Sequence, residues 1–326
     1  MSVVFLWLAT RRVDFHAAWG ATRNTSLGWL VVGVVLINAA LVPMAVRWKI
    51  ATEGIVDRPP PVGSFLQVVV CSQAANNVVP ARPGDILRVL WLGRVSGVGA
   101  ASAAASMLAD RALDVLALCL VIAVGFPFVR HETWVLGVGI AGLAGCLVLI
   151  GLWAWCRHLA DRRVAGAPTP ETGPIRRQLS RFSLAFGGLL TARRAVRMAA
   201  WTAVLWAIWA VGAWAIAQAM DLNLTPLQVL FATAVLNVGL AIPSSPGFVG
   251  TYQWLIINAL ALFAIGRDQA FAYAIVQQLA WFVPQTLVGL ILLPRVGMSL
   301  GRLRSAATDD AVLPEGTRAP EGRTHE

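Results

Sequence analysis

Long apolar runs separated by short polar turns recur along the chain, and they predict helices that cross a bilayer. Leu27 to Val46 is the first run of full membrane length, closed by Arg47, Trp48 and Lys49. Further runs follow at Val115 to Val129, Trp134 to Trp155, Met198 to Met220 and Ala270 to Leu293. A stretch of about twenty apolar residues matches a hydrocarbon core about 30 Å thick. The opening run, Met1 to Thr10, has half that length and fits either an interfacial anchor or a first helix cut short, the second being favoured. Arg11 and Arg12 follow it rather than precede it, which is not the order of a secretory signal.

Two other apolar stretches are interrupted. Val62 to Val79 carries Gln67, Ser72, Gln73, Asn76 and Asn77, and ends in Pro80, Pro83, Gly84 and Asp85, which must break a helix. From Ile86 a second arm is expected to run through Arg88 and Arg94 into the small-residue tract Gly97 to Ser106, making a helical hairpin over Val62 to Met107. Leu227 to Ile242 and Thr251 to Ile265 make a second hairpin around the breakers Pro243, Pro246, Gly247 and Gly250.

Composition agrees with the pattern. The 326 residues are 58% hydrophobic and 13% charged, against about 25% charged in soluble chains, and a water-soluble core cannot absorb that much apolar surface. The net charge is +10, and every basic residue except Lys49 is Arg. These charges sit between apolar runs, so they fit anionic lipid and helix orientation rather than nucleic acid. The segment Arg157 to Arg197 holds nine Arg against Asp161 and Glu171, which assigns it to the cytoplasmic side. Within it, Phe182 to Leu190 fits either a surface amphipathic element or a plain loop. Counting spans from there puts the Arg47 to Pro61 turn and the C-terminal tail on the cytoplasmic side, and Asp221 and Gly266 on the other. The two hairpins then have opposite orientation, as in transporters built from inverted repeats.

The first hairpin tip holds the most informative chemistry. Arg82 and Arg88 lie within membrane depth, where an Arg costs about 2.5 to 3.5 kcal/mol and needs a partner or a wet cavity. A lipid phosphate satisfies that need, because guanidinium binds phosphate oxygens bidentately and the helix starting at Ile86 offers free N–H groups. Pairing with Asp85, or reaching to the interface, is the competing reading. Asp110, Arg111 and Asp114 lie within about one turn. They fit a local ion pair, a holder of membrane Arg residues, or a proton carrier. At the second tip, Asn237, Gln253 and Asn258 add polar groups to a backbone left unpaired by Pro and Gly. Cys71, Cys119, Cys146 and Cys156 lack metal or redox spacing and read as buried small residues, and the His are scattered. With no HExxH, GxSxG, Walker or CxxC motif, no catalytic residue, metal site or cofactor is expected.

Taken together, Asn77, Pro80, Arg82, Gly84, Asp85 and Arg88, then Asp110, Arg111 and Asp114, then Pro246, Gly247 and Gly250, resemble the lysylphosphatidylglycerol synthase transmembrane region family, also called flippase-like. The similarity extends from near the N-terminus to about Pro294. It implies a helical domain that moves phospholipid between leaflets, with substrate contacts at Asn77, Arg82, Asp85, Arg88, Asp110, Arg111, Asp114 and Gln253. The family's Glu after the Pro-Gly element is Gln253 here, and no acetyltransferase-like domain follows, so synthesis of lysyl-phospholipid is not expected.

The resulting expectation is an all-α polytopic protein of about six to eight membrane helices in a bacterial cytoplasmic membrane. Residues 1–294 form the flippase-like domain, 157–197 its basic cytoplasmic loop, and 295–326 a disordered tail. Its partners are the bilayer and a phospholipid or isoprenoid-phosphate lipid substrate. A membrane enzyme acting on lipid-linked headgroups, or a membrane partner of a separate soluble transferase, is the alternative.

Overall fold

A computed structural model describes residues 25–79, 83–125, 133–164, 191–240 and 246–297, with Thr10, Val13, Gly20 and Phe186, and all regular structure among them is helical. Leu27–Ala39 (α1) and Leu41–Thr52 (α2) form one path interrupted at Ala40, because Pro43 has no N–H to give the Ala39 carbonyl. This path continues beyond the expected end at Val46, so Arg47 lies inside a helix and is fully buried rather than closing a span at the interface.

Val62–Val78 (α3) and Pro83–Ser96 (α4) are the arms of the first hairpin. Their contact at the tip is close: Gly84 N donates to Asn76 Oδ1 at 2.8 Å, and a Cβ on Gly84 would collide with the Ser72 carbonyl. The second arm is shorter than expected. It stops at Ser96, the chain turns at Gly97 with φ +67°, and the small-residue tract opens a new helix, Ala100–Gly125 (α5). That helix also contains the acidic motif and the apolar run from Val115, so Asp110 lies about 15 Å from its start rather than ahead of a span.

Thr133–Val164 (α6) carries Arg157 and Arg162 in its last turns, and Ala192–Ala219 (α7) begins within the basic segment, capped by Thr191. Only Phe186 of the expected surface element belongs to the described residues, and it packs with Ala105, Ala109 and Cys156. Pro226–Gly239 (α8) opens with a Thr225–Gln228 capping box. A 3₁₀ turn at Pro246–Phe248 leads to Thr251–Ala261 (α9), and the arms run antiparallel, with Gly239 against Leu255 and Phe231 against Phe263. Arg267–Leu292 (α10) contains Pro284. The Ala280 carbonyl that this proline leaves without a donor accepts from Asn38 Nδ2 at 3.0 Å. A 3₁₀ turn, Leu293–Val296, carries the fold past the expected domain end at 294.

Pairings along the helices fix their directions. Ser26 N donates to Ala219 O at 2.8 Å, Gly33 lies against Gly212, Arg47 reaches Thr202, and Arg197 binds Glu53 at 2.7 Å, so α7 runs antiparallel to α1 and α2. The Glu53–Arg197 end is therefore the end at which the basic segment joins α7. Ile55, Val56 and Val62 pack there with Phe65, Trp91 and Leu293, and Arg94 reaches the Gly297 carbonyl, so both feet of the first hairpin and the end of α10 share this side. Leu222 and Leu224, before the second hairpin, pack beyond the end of α7 at the opposite side, where the Trp214 indole donates to Leu224 O. The two hairpins thus enter the bundle from opposite ends. Their breaks meet, with Gly247 facing the Asn77 carbonyl and the Phe282 ring.

Burial is inverted relative to a soluble protein: Arg47, Arg88 and Asp110 are fully enclosed, while Leu27, Leu120, Val148 and Ile291 are more than half exposed. Such an exterior suits lipid. Among the described residues, Leu27–Thr52, Ala192–Ala219 and Arg267–Val296 are long and apolar enough to cross a membrane.

Candidate functional site

A buried ionic cluster joins α2, α4, α5 and α7. Arg47 Nε donates to Asp110 Oδ1 at 2.6 Å, its Nη1 to Asp114 Oδ1 at 2.6 Å and to Thr202 Oγ1 at 3.0 Å, and its Nη2 to Asp114 Oδ2 at 2.8 Å. Arg111 Nη2 donates to Asp85 Oδ1 at 3.1 Å, which ties α5 to the tip end of α4. Arg88 makes only one long contact, from Nη1 to Asp110 Oδ2 at 3.5 Å, and its guanidinium lies over the Trp48 ring at 5.1 Å from the centroid.

Among the described residues three Arg face three Asp, so their formal charges cancel. Balance of this kind is required, because a single enclosed ion carries a solvation penalty of several kcal/mol. Hydrogen bonding is nevertheless unevenly shared. Arg47 makes four hydrogen bonds, whereas Arg88, equally buried, has Nε and Nη2 with no acceptor, and the adjacent Trp48 Nε1 also has none. Unmet donors on a buried cation suit an anionic group.

The second feature is the junction of the hairpin tips. Gln253 Oε1 accepts from Gly250 N at 2.7 Å, and its Nε2 donates to Gln278 Oε1. Gln278 Nε2 in turn donates to the Gly247 carbonyl at 2.6 Å. Gly247 and Gly250 have φ of +66° and +87°, conformations that glycine adopts without a Cβ penalty. From the other hairpin, Asn77 Nδ2 donates to Thr286 Oγ1 at 2.9 Å, so both tips are anchored on α10.

Of the residues singled out from the sequence, Asp85, Arg88, Asp110, Arg111 and Asp114 come together in the ionic cluster. Asn77 and Gln253 lie at the tip junction, and Arg82, Pro80 and Pro243 lie outside the described residues. The pairings differ from the local ones considered. Asp85 binds Arg111 rather than Arg88, and the Arg111–Asp114 separation within α5 is 3.9 Å, the longest in the cluster. Arg47, Trp48, Thr202 and Gln278 were not anticipated. One available signal for Arg47 was the surplus acid of the Asp110–Arg111–Asp114 motif, which requires a cation from elsewhere.

Long apolar helices with a lipid-suited exterior around enclosed ions and amides define a polytopic helical membrane protein. The chain belongs to the lysylphosphatidylglycerol synthase TM region family, whose model matches residues 1–289. It is also similar to a UPF0104 membrane protein of Methanothermobacter thermautotrophicus, 23% identical over 312 residues, covering 86% of this chain and 88% of the relative.

Proposed function

We propose that this chain is a lipid translocase that moves a phosphate-bearing lipid between the leaflets of a bacterial cytoplasmic membrane. The Arg157 to Arg197 segment and the C-terminal tail face the cytoplasm, where anionic lipid attracts Arg. Arg88 meets the headgroup phosphate, and Asp110 releases it as the phosphate arrives. The observation that carries this reading is the enclosed Arg88 guanidinium with Nε and Nη2 unpaired beside three carboxylates already engaged by other Arg groups.

Alternating access follows from the two hairpins. Each enters the bundle from one end, and they meet where Gly247 faces the Asn77 carbonyl, the point at which a change between the two ends would act. Separation of α4 from α5 breaks the Arg88–Asp110 and Arg111–Asp85 contacts and exposes the cluster to the basic end of the bundle. Phosphate takes the place of Asp110 on Arg88, while Asp110 and Asp114 stay paired with Arg47 and Arg111 with Asp114, and the Asp85 released is the partly exposed carboxylate of the cluster. The family's name refers to lysylphosphatidylglycerol, a phosphate-bearing lipid, which supports a phospholipid substrate.

The test is transfer of fluorescent phosphatidylglycerol in liposomes carrying the purified chain, read by quenching of the outer leaflet. Transfer well above protein-free vesicles is expected, with the lipid chemically unchanged. Altered lipid without transfer would identify a headgroup enzyme instead.

A further inference from the structure

One face of α10 carries hydrogen-bonding groups that the protein itself leaves unmet. Among the described residues Gln277 Nε2 and Gln285 Oε1 have no hydrogen-bond partner, and Trp281, beside Tyr252, stands midway between them, so the three residues follow at four-residue intervals. At 3.6 residues per turn that spacing keeps all three within about 80° of one another, over roughly 12 Å of helix. Gln277 is fully buried and Gln285 is 5% exposed, so neither faces bulk water. Thr251, itself 4% exposed, has an unmet Oγ1 at the start of α9, whose next residue, Tyr252, donates to Gln277 Oε1 at 3.0 Å and lies 6.1 Å from the Trp281 ring.

An apolar membrane helix has no packing need for such side chains. Leu or Met would fill the same space without leaving amide groups unsatisfied in a low dielectric. The neighbouring Gln278 shows the contrast: both ends of its amide are used, holding Gln253 and the Gly247 carbonyl. Gln278 therefore explains itself as a structural clamp, whereas Gln277 Nε2 and Gln285 Oε1 hold nothing among the described residues.

We infer that this face is a second subsite, one that takes the neutral hydroxyl-bearing part of a lipid headgroup, a glycerol or a sugar. The chemistry is mixed and uncharged: an amide donor on Gln277, an amide acceptor on Gln285 and the Thr251 hydroxyl, which matches vicinal hydroxyls, each both donor and acceptor. A cation or a bare anion finds no countercharge among these side chains. The inference rests on the translocase reading. It adds that phosphate and headgroup hydroxyls are read by different elements, the phosphate on α4 and the hydroxyls on α10.

The test uses the full chain in liposomes with fluorescent phosphatidylglycerol, which bears two headgroup hydroxyls, and fluorescent phosphatidic acid, which bears none. The wild type is expected to move phosphatidylglycerol about tenfold faster, the scale of one or two well-made hydrogen bonds. Gln277→Leu with Gln285→Leu is expected to bring the two rates together, with the phosphatidic acid rate preserved. Gln277→Leu also takes from the buried Tyr252 hydroxyl its acceptor, at a cost in stability, so thermal unfolding in detergent accompanies the transfer rates. Gln285→Leu alone, which breaks no hydrogen bond among the described residues, is expected to narrow the preference without that loss. A preference that survives both substitutions, or a wild type with no preference, overturns the subsite. Native mass spectrometry with the same two lipids gives a second measurement. If neither lipid is moved but the wild type still retains phosphatidylglycerol preferentially and the double variant does not, the subsite stands and the translocase reading falls. Absence of both transfer and binding preference removes the subsite as well.

Discussion

Arg47 clasps Asp114 through two parallel hydrogen bonds, Nη1 to Oδ1 at 2.6 Å and Nη2 to Oδ2 at 2.8 Å, across 67 residues of sequence. With the Nε bond to Asp110, this fork fixes α2 to α5 at the centre of the bundle. Every guanidinium nitrogen of Arg47 is thus hydrogen-bonded, whereas Nε and Nη2 of Arg88 have no acceptor among the described residues.

Removal of Arg47 leaves Asp110 and Asp114 enclosed with insufficient countercharge. Arg47→Leu is expected to destabilise the protein by about 3 to 5 kcal/mol, the usual cost of breaking a buried pair. Arg47→Lys recovers only part of this, because an ammonium cannot reproduce the fork. Thermal unfolding of the detergent-solubilised variants measures both, and a full recovery by Lys would contradict the bidentate role.

The Arg111–Asp85 pair lies nearer to solvent, its side chains 34% and 21% exposed. Asp85→Asn is therefore expected to change stability by less than about 1 kcal/mol. Because this pair links α4 to α5, the substitution should instead shift the rate of lipid transfer. A large stability loss with unchanged transfer would assign the pair to packing alone.

At the first hairpin tip, a side chain on Gly84 has no room, since its Cβ would overlap the Ser72 carbonyl. Gly84→Ala is expected to force the arms apart and to cost more than Gly63→Ala, where nothing lies within 4 Å. Comparing the two unfolding temperatures checks this, and equal values would show that the arms separate without penalty.

Gln278 holds the second tip by its bond to the Gly247 carbonyl. Gln278→Leu leaves that buried carbonyl and Gln253 Nε2 unpaired, a loss of about 1 to 3 kcal/mol per group. Protease susceptibility of the segment around Pro246 should rise in this variant, and unchanged cleavage would show that the tip is held by other contacts.

Much of the architecture could be read from the sequence because bilayer thickness imposes run length directly. The apolar runs, the breakers Pro83, Gly84, Gly247 and Gly250, and the opposed hairpins all follow from local pattern. Two errors of boundary share a cause. Hydropathy ended the first span at Arg47 and started another at Val115, whereas the helices run through their charges because those charges are paired inside the protein. The Gly97–Val98–Gly99 step was the signal that the small-residue tract belonged to the following helix. Pairings such as Arg47 with Asp110, or Asp85 with Arg111, join distant helices, and a local pattern carries no record of them.

The most direct measurement is the rate of phosphatidylglycerol transfer by Arg88→Gln in liposomes, set beside the wild type reconstituted at equal amount. The glutamine keeps neutral donors but removes the charge that a phosphate requires. At least a tenfold loss of transfer is expected, with the variant still inserted and folded, because Arg88 makes a single long contact in the resting structure. Transfer at the wild-type rate would contradict a phosphate-reading role for Arg88.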